Sequence, residues 1–313
     1  FIQYETNMNA VTFTDRVVRG DLSFVKKNAD TEETLAYIPF RITNNTTGET
    51  HYILTSADGT FTSAVGKTTN TNANDAVLSQ YGDKDVIPQS VVDSLAKDAG
   101  LWFGMGSEGT MTSANDSYGA FVYGTYTITE LKTEATRSMK MYTNTFTIDT
   151  DGKVLDLGTV NNVPMRIKTT LVDVNGEHFT EATSTVTLTD HVAYKNLDTD
   201  KTYTLTGTLY VKDGDALTEM MTETVDFQPT ETSGTQDVTF TFDASELVGK
   251  SVVAFEELSV NGEFCAEHKD KDDENQTVTF PGIQTTARDN VTEDHVSNAT
   301  DSITIVDTVA YTG

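Results

Sequence analysis

The chain reads as an all-β protein made of β-sandwiches in series, and three observations predict it. Short stretches alternate apolar with polar residues, the polar ones mostly Thr, as half-buried antiparallel strands do. Turn signals punctuate those stretches. Part of the pattern also returns one sandwich-length later.

Taken in order, residues 1–18, ending in Val11-Thr-Phe-Thr-Asp15, read as the last strand of a preceding domain. Leu22-Ser-Phe-Val-Lys26 then opens a domain spanning 20–163, with Tyr126-Thr-Ile-Thr-Glu130 as a later strand. Between them, about 55–118 reads as a long insertion. It holds Thr-Asn repeats, a helix expected over Ser90–Lys97 just after Pro88, and Leu101-Trp-Phe-Gly104 with the single Trp of the chain. Val186-Thr-Leu-Thr, Tyr203-Thr-Leu-Thr-Gly and Val238-Thr-Phe-Thr-Phe are strands of a further domain, 164–280. Asp58-Gly59, Asp151-Gly152, Asp213-Gly214 and Asn261-Gly262 supply the turns.

The repeat pairs Ile167-Lys-Thr-Thr-Leu-Val-Asp173 with Ile283-Gln-Thr-Thr-Ala-Arg-Asp289. It also pairs Thr187-Leu-Thr-Asp-His-Val-Ala-Tyr194 with Thr304-Ile-Val-Asp-Thr-Val-Ala-Tyr311. The copies are offset by 116 residues at the first threonine (285 − 169) and 117 at the aspartate (307 − 190). Residues 281–313 therefore read as the truncated start of another repeat. Pro164 and Pro281 precede the two starts, where linkers fall.

Composition excludes one class of function. A formal charge of −27 over 313 residues repels phosphate, so no nucleic-acid partner is expected. No apolar run is long enough to span a bilayer. Cys265 is the single cysteine, which rules out an intrachain disulfide.

Chemistry concentrates in Ala266-Glu-His-Lys-Asp-Lys-Asp-Asp-Glu-Asn-Gln276, downstream of Val253-Ala-Phe-Glu256. An alcohol is a weak nucleophile until a base takes its proton, and an amide resists attack until acid assists its leaving nitrogen. His268 suits the base, and Asp190, Glu256 and Asp273 are candidates for the acid, one of a close pair being held neutral by burial. Gln276 is the amide. Parity supplies the alcohol: Ile167, Thr169 and Leu171 share the apolar face, which selects Thr169, with Thr170 as the alternative. The expected product is a Thr169–Gln276 ester with loss of ammonia. An acidic loop beside a histidine is more commonly solvated surface. Calcium binding fails on spacing, because an EF-hand starting at Asp270 would have Asn275 where Gly belongs and Pro281 at its last position.

In the earlier domain, Phe24-x-Lys26, Ile128-x-Glu130 and Val160-x-Asn162 each put a polar group on an apolar face. Burying one alone costs several kcal/mol. Together they form a Lys–Asn isopeptide set in which a desolvated Lys26 attacks Asn162 and Glu130 shuttles the proton. Lys27 and Asn161 are the neighbouring alternatives.

These motifs carry two resemblances. Ile-x-Thr-Thr, Asp-x-Val-x-Tyr, Val-Ala-Phe-Glu and His-x4-Asp-x2-Gln-Thr resemble the T-Q ester-bond (VaFE-repeat) domain of Gram-positive surface adhesins, over 164–280 and in part 281–313. Gly20-Asp-Leu-x-Phe-Val-Lys26, Leu35-Ala-x-Ile-Pro-Phe40 and Gly124-Thr-Tyr-x-Ile-x-Glu130-Leu resemble the SpaA/CnaB-type pilin domain, over roughly 20–163. The resemblances imply tandem immunoglobulin-like sandwiches and roles for Thr169 (nucleophile), Gln276 (acyl donor), His268 (base), and Glu256, Asp273 and Asp190 (acids), Glu257 being the alternative to Glu256. In the pilin-like domain they imply roles for Lys26, Glu130 and Asn162, and they make Asp15 an acceptor for a lysine outside the chain. They also imply a cell-wall-anchored stalk with neighbouring domains as partners, without cofactor or metal, and with single-turnover bond formation in place of enzymatic turnover. The competing expectation is a ligand-binding adhesin module that uses the 55–118 insertion, with Trp102 as anchor, to hold a host protein or glycan. Arg19-Gly20-Asp21 raises a further binding motif, on three residues alone.

Overall fold

The computed structural model describes residues 17–64, 70–104 and 113–312, and divides into two units, Phe1–Pro164 and Met165–Gly313. The expected preceding strand and Asp15 lie outside the described residues. The architecture is all-β, in tandem sandwiches.

The first unit runs β1 (Arg19–Asn28), β2 (Pro39–Asn44), β3 (Thr50–Leu54) and β4 (Thr60–Thr62), then two short helices, α1 (Asp75–Leu78) and α2 (Gln89–Ser94). It continues with β5 (Phe121–Val122), β6 (Gly124–Glu130), β7 (Met139–Lys140), β8 (Thr143–Ile148) and β9 (Val154–Pro164). One sheet has the order β4-β1-β9-β7, with β5 also on β1; the other is β3-β2-β6-β8. Strand alternation drives this packing. Leu22 and Phe24 from β1 and Val160 from β9 meet Phe40, Ile42, Tyr126, Ile128 and Phe146 of the facing sheet in one core. The first and last strands, β1 and β9, are parallel neighbours, with Lys26 opposite Val160 and Asn28 opposite Asn162.

Within the stretch read as an insertion, β4 pairs with β1. The expected helix is present but shorter, Gln89–Ser94, because Leu95 already has extended backbone. α1 had no sequence signal beyond a single turn's length. Both helices form a second small core, in which Leu78, Ile87, Val92 and Leu95 pack on Tyr52 and Leu54 of β3.

The second unit comprises β10 (Arg166–Lys168), β11 (Leu171–Asp173), β12 (Val186–Lys195), β13 (Tyr203–Asp213), β14 (Ala216–Phe227) and β15 (Ser233–Phe242). After these come β16 (Ser251–Val260), β17 (Glu263–His268) and β18 (Thr277–Thr279). β12 carries β10 and β11 end to end along one edge and β15 along the other. In the second sheet β16 carries β17 and β18 along one edge and β13, then β14, along the other. Each sheet thus has an edge made of two half-strands. Asn261 and Gly262, both at positive φ, form the tight turn between β16 and β17.

Residues after Pro281 form one antiparallel hairpin, β19 (Gly282–Asp289) and β20 (Ile305–Thr312). Ala287 faces Asp307 there as Leu171 faces Asp190 in the complete copy, and Ile283 faces Tyr311 as Ile167 faces Tyr194.

Candidate functional site

Two buried clusters bring the candidate residues together, one in each unit. In the first unit, β1, β9 and β6 place Lys26, Asn162 and Glu130 at inward-facing positions, all at most 2 % exposed. Lys26 Nζ donates to Asn162 Oδ1 at 2.5 Å and lies 2.9 Å from Glu130 Oε2. Asn162 Nδ2 donates to Glu130 Oε1 at 2.6 Å, and the Tyr142 amide donates to Oε2 at 3.2 Å. The rings of Phe40 and Tyr142 each lie 5.7 Å from Nζ and complete the enclosure.

Burial dominates the electrostatics: it lowers the Lys26 pKa and raises that of Glu130, each against the pull of the other's charge. Both shifts favour moving the proton from ammonium to carboxylate. That transfer would set a neutral amine against the amide and a carboxylic acid against the amide nitrogen. The alternatives lie elsewhere: Lys27 is half-buried beside Glu32, and Asn161 is exposed.

In the second unit Thr169 occupies the gap between β10 and β11, and Gln276 the gap between β17 and β18. Both are fully buried, while Thr170 is half-exposed and bonds through its backbone to His191. Gln276 Nε2 donates to Thr169 Oγ1 at 2.8 Å and to the His268 carbonyl at 3.3 Å. His268 Nδ1 is 3.4 Å from Thr169 Oγ1, and its Nε2 is 3.6 Å from Asp273 Oδ2. Opposite Gln276, the backbone N–H of Asp270 points at Oε1 from 3.4 Å. No sequence pattern flags a main-chain donor.

Asp273 has a second task. Its carboxylate caps the 3₁₀ turn Glu274–Gln276, accepting from the Asn275 backbone N–H at 2.9 Å, and this turn presents Gln276. Those bonds, and the nearby imidazole, hold the Asp273 pKa below its usual range.

Asp190 and Glu256 come from facing sheets and are both fully buried. Their carboxyls face each other, with the Thr169 hydroxyl and the Thr170 amide beside Asp190. Yet no donor, these two included, closes to full hydrogen-bond geometry on any of the four oxygens. Two such groups cannot both be ionised and instead share a proton. Burial first, then Asp190, pushes Glu256 up to about 10, and burial raises Asp190 too. Glu257 points elsewhere and pairs with Lys269 at 2.8 Å.

The features behind the ligand-binding expectation are packed inward. Trp102 is fully buried, with the Arg19 guanidinium 3.6 Å above its ring. Arg19, 1 % exposed, donates to the carbonyls of Gly119, Phe103 and Ala120, while Asp21 accepts from Ser63 Oγ and the Ala120 amide. Arg19-Gly20-Asp21 therefore ties neighbouring chain to β1 and offers no exposed motif.

Residues 165–280 match the family model described as "T-Q ester bond containing domain", and 281–313 match it again. The two matched stretches together span the second unit, Met165–Gly313. No curated protein matches the chain in sequence. Among solved structures, the chain is similar to a bacterial adhesin from Mobiluncus mulieris containing intramolecular disulfide, isopeptide and ester bond cross-links. That match has 13 % identity, covers 47 % of this chain and 75 % of that one, and has a TM-score of 0.34. The full-length major pilin SpaD of Corynebacterium diphtheriae gives 11 % identity over 91 % and 70 %, with a TM-score of 0.40. BcpA, the major pilin subunit of Bacillus cereus, gives 13 % over 94 % and 84 %, with a TM-score of 0.35. The cluster around Thr169 lies within the matched residues, and the cluster around Lys26 lies outside them.

Proposed function

We propose that this chain is a load-bearing stalk segment of a cell-wall-anchored adhesin or pilus-like protein on a Gram-positive surface, and that each unit seals itself with one covalent bond. The observation that carries the reading is the convergence, in each unit, of a nucleophile, a carboxamide and a proton-sharing acid in a buried pocket linking the first strand to the last. On this reading the domains are 20–163 and 164–280, with 281–313 opening the next repeat.

For the ester, His268 takes the Thr169 hydroxyl proton and Oγ1 attacks Cδ of Gln276. The Asp270 N–H faces the oxygen that gains charge. The Cδ–Nε2 bond then breaks, the proton returns to Nε2 and ammonia leaves. Asp273 stabilises the transient imidazolium, and the proton held between Asp190 and Glu256 keeps an uncharged acid beside the threonine. For the isopeptide, Lys26 gives a proton to Glu130, its neutral Nζ attacks Cγ of Asn162, Glu130 delivers that proton to the departing nitrogen, and the freed carboxylate takes the second proton that Nζ sheds as the amide forms. The Nζ–Cγ bond forms, Cγ–Nδ2 breaks and a second ammonia leaves. Fixing both partners in a folded core gives effective molarities on the order of 10⁵ M or more, which makes slow amide chemistry practical.

The bonds would join residues 136 and 107 positions apart. By the chain-entropy argument used for disulfides, closing loops of that size stabilises each unit by about 5 kcal/mol. More important for a stalk, tension would cross each unit through a bond instead of a hydrogen-bond ladder. Pulling single molecules by their ends tests this. Neither enclosed loop should extend in the native chain, whereas Thr169→Ala should release roughly 370 Å and Lys26→Ala roughly 480 Å at full extension. Full unravelling of the unmutated chain would refute the stalk reading.

A further inference from the structure

Gly207 occupies an inward position of β13, where the alternation Tyr203, Leu205, Leu209 otherwise places buried apolar side chains. A glycine weakens a strand interior and marks close approach by another group. Backbone conformation does not require it, since Gly207 is not among the residues at positive φ. What requires it is space. It lies directly opposite Glu256 in the ladder, and a Cβ there would sit 2.5 Å from Glu256 Oε1, 2.8 Å from Oε2 and 2.7 Å from Phe240 Cζ. The Glu256 carboxyl fills the volume of the missing side chain, and from there it meets Asp190 across the sandwich.

We infer that Gly207 is a positioning residue for ester formation: its lack of a side chain holds the Glu256 carboxyl against Asp190. This rests on the ester reading above. Both clashing groups are side-chain tips and neither is backbone, so a Cβ displaces the carboxyl while the strands stay paired. The pair then separates and no longer shares a proton beside Thr169. Thr169, Gln276 and His268 keep their places.

The test uses the full chain, with the ammonia loss from ester formation, the one that Thr169→Ala abolishes, followed by intact mass over time. In Gly207→Ala the loss should slow by about 10²-fold, as a misplacement of about 1 Å does in other active sites. Its pH dependence should also move, because two separated carboxyls titrate independently. Gly207→Ala/Phe240→Leu relieves only the aromatic clash and should stay slow. An unchanged rate in Gly207→Ala, or recovery in the double variant, would overturn the inference while leaving the ester reading intact. A native chain without the ester's ammonia loss would overturn the ester reading itself. Thermal melts of Thr169→Ala with and without Gly207→Ala, neither able to form the ester, separate folding from chemistry: equal melts support a positioning role, and a collapse of the melt in the double variant argues for packing alone.

Discussion

The cluster in the first unit sets one acid against an amine and an amide, whereas the one in the second surrounds an alcohol and an amide with His268, Asp273, Asp190 and Glu256. The nucleophile explains the difference. A lysine becomes reactive simply by losing a proton, and burial beside Glu130 shifts both groups in the direction of that transfer. A threonine hydroxyl is not deprotonated by burial at all. It needs a base, the base needs a counter-ion, and the acid must stay neutral in a strongly acidic chain. The backbone reflects this. β1 and β9 run unbroken past Lys26 and Asn162, but both edge strands of the second unit break at Thr169 and Gln276, and His268 and Asp273 keep partial exposure, 23 % and 17 % for their side chains.

The sharpest way to break the comparison is to remove the base. His268→Ala should slow ester formation by about 10²–10⁴-fold, the usual contribution of a general base, and leave the isopeptide untouched. Time-resolved intact mass reads both. If the ester still forms at the native rate, the threonine is activated as the lysine is and the contrast fails.

A smaller effect distinguishes the acids by pH. In the ester-less Thr169→Ala chain, Glu256 titrates at 4.5 when unfolded and at about 10 when folded. The folded state binds the extra proton in between, so stability is greatest below about pH 4.5 and falls as pH rises towards 10. Melts between about pH 5 and pH 9 should show the second unit losing stability, and Glu256→Gln should flatten that slope. A unit that gains stability with pH would contradict the shared proton.

Smallest of all are the neighbours. Thr170→Ala, Lys27→Ala and Asn161→Ala should leave both bonds formed and change stability by no more than about 0.5 kcal/mol, as surface substitutions do, measured by mass and by melting. Loss of a bond in any of them would shift that site by one residue.

Much of this was legible because strands have period two. A lysine, a glutamate or an asparagine in phase with Phe24, Ile128 or Val160 must point into the core, so parity alone names the three buried groups. The same parity separates Thr169 from Thr170, and the repeat links Thr169 to a distant Gln276. The rest depends on contacts that no local pattern encodes. Parallel pairing of β1 with β9, the Asp270 amide aimed at Gln276 and the burial of Arg19 and Trp102 arise from segments far apart in the chain. Asp273 was legible as an acid, but its capping of the turn that carries Gln276 was not. The β19–β20 hairpin adds a physical reason for the strand break: β19 runs straight through Thr285 and Thr286, whereas its counterpart is split at Thr169 and Thr170, where Gln276 and His268 close in. Facing chain, more than local sequence, shapes the site.

Intact mass of the full chain tests the central claim most directly. The account predicts a mass lower than the sequence by two ammonias, with Lys26→Ala and Thr169→Ala each restoring one. A mass equal to that of the sequence would contradict it.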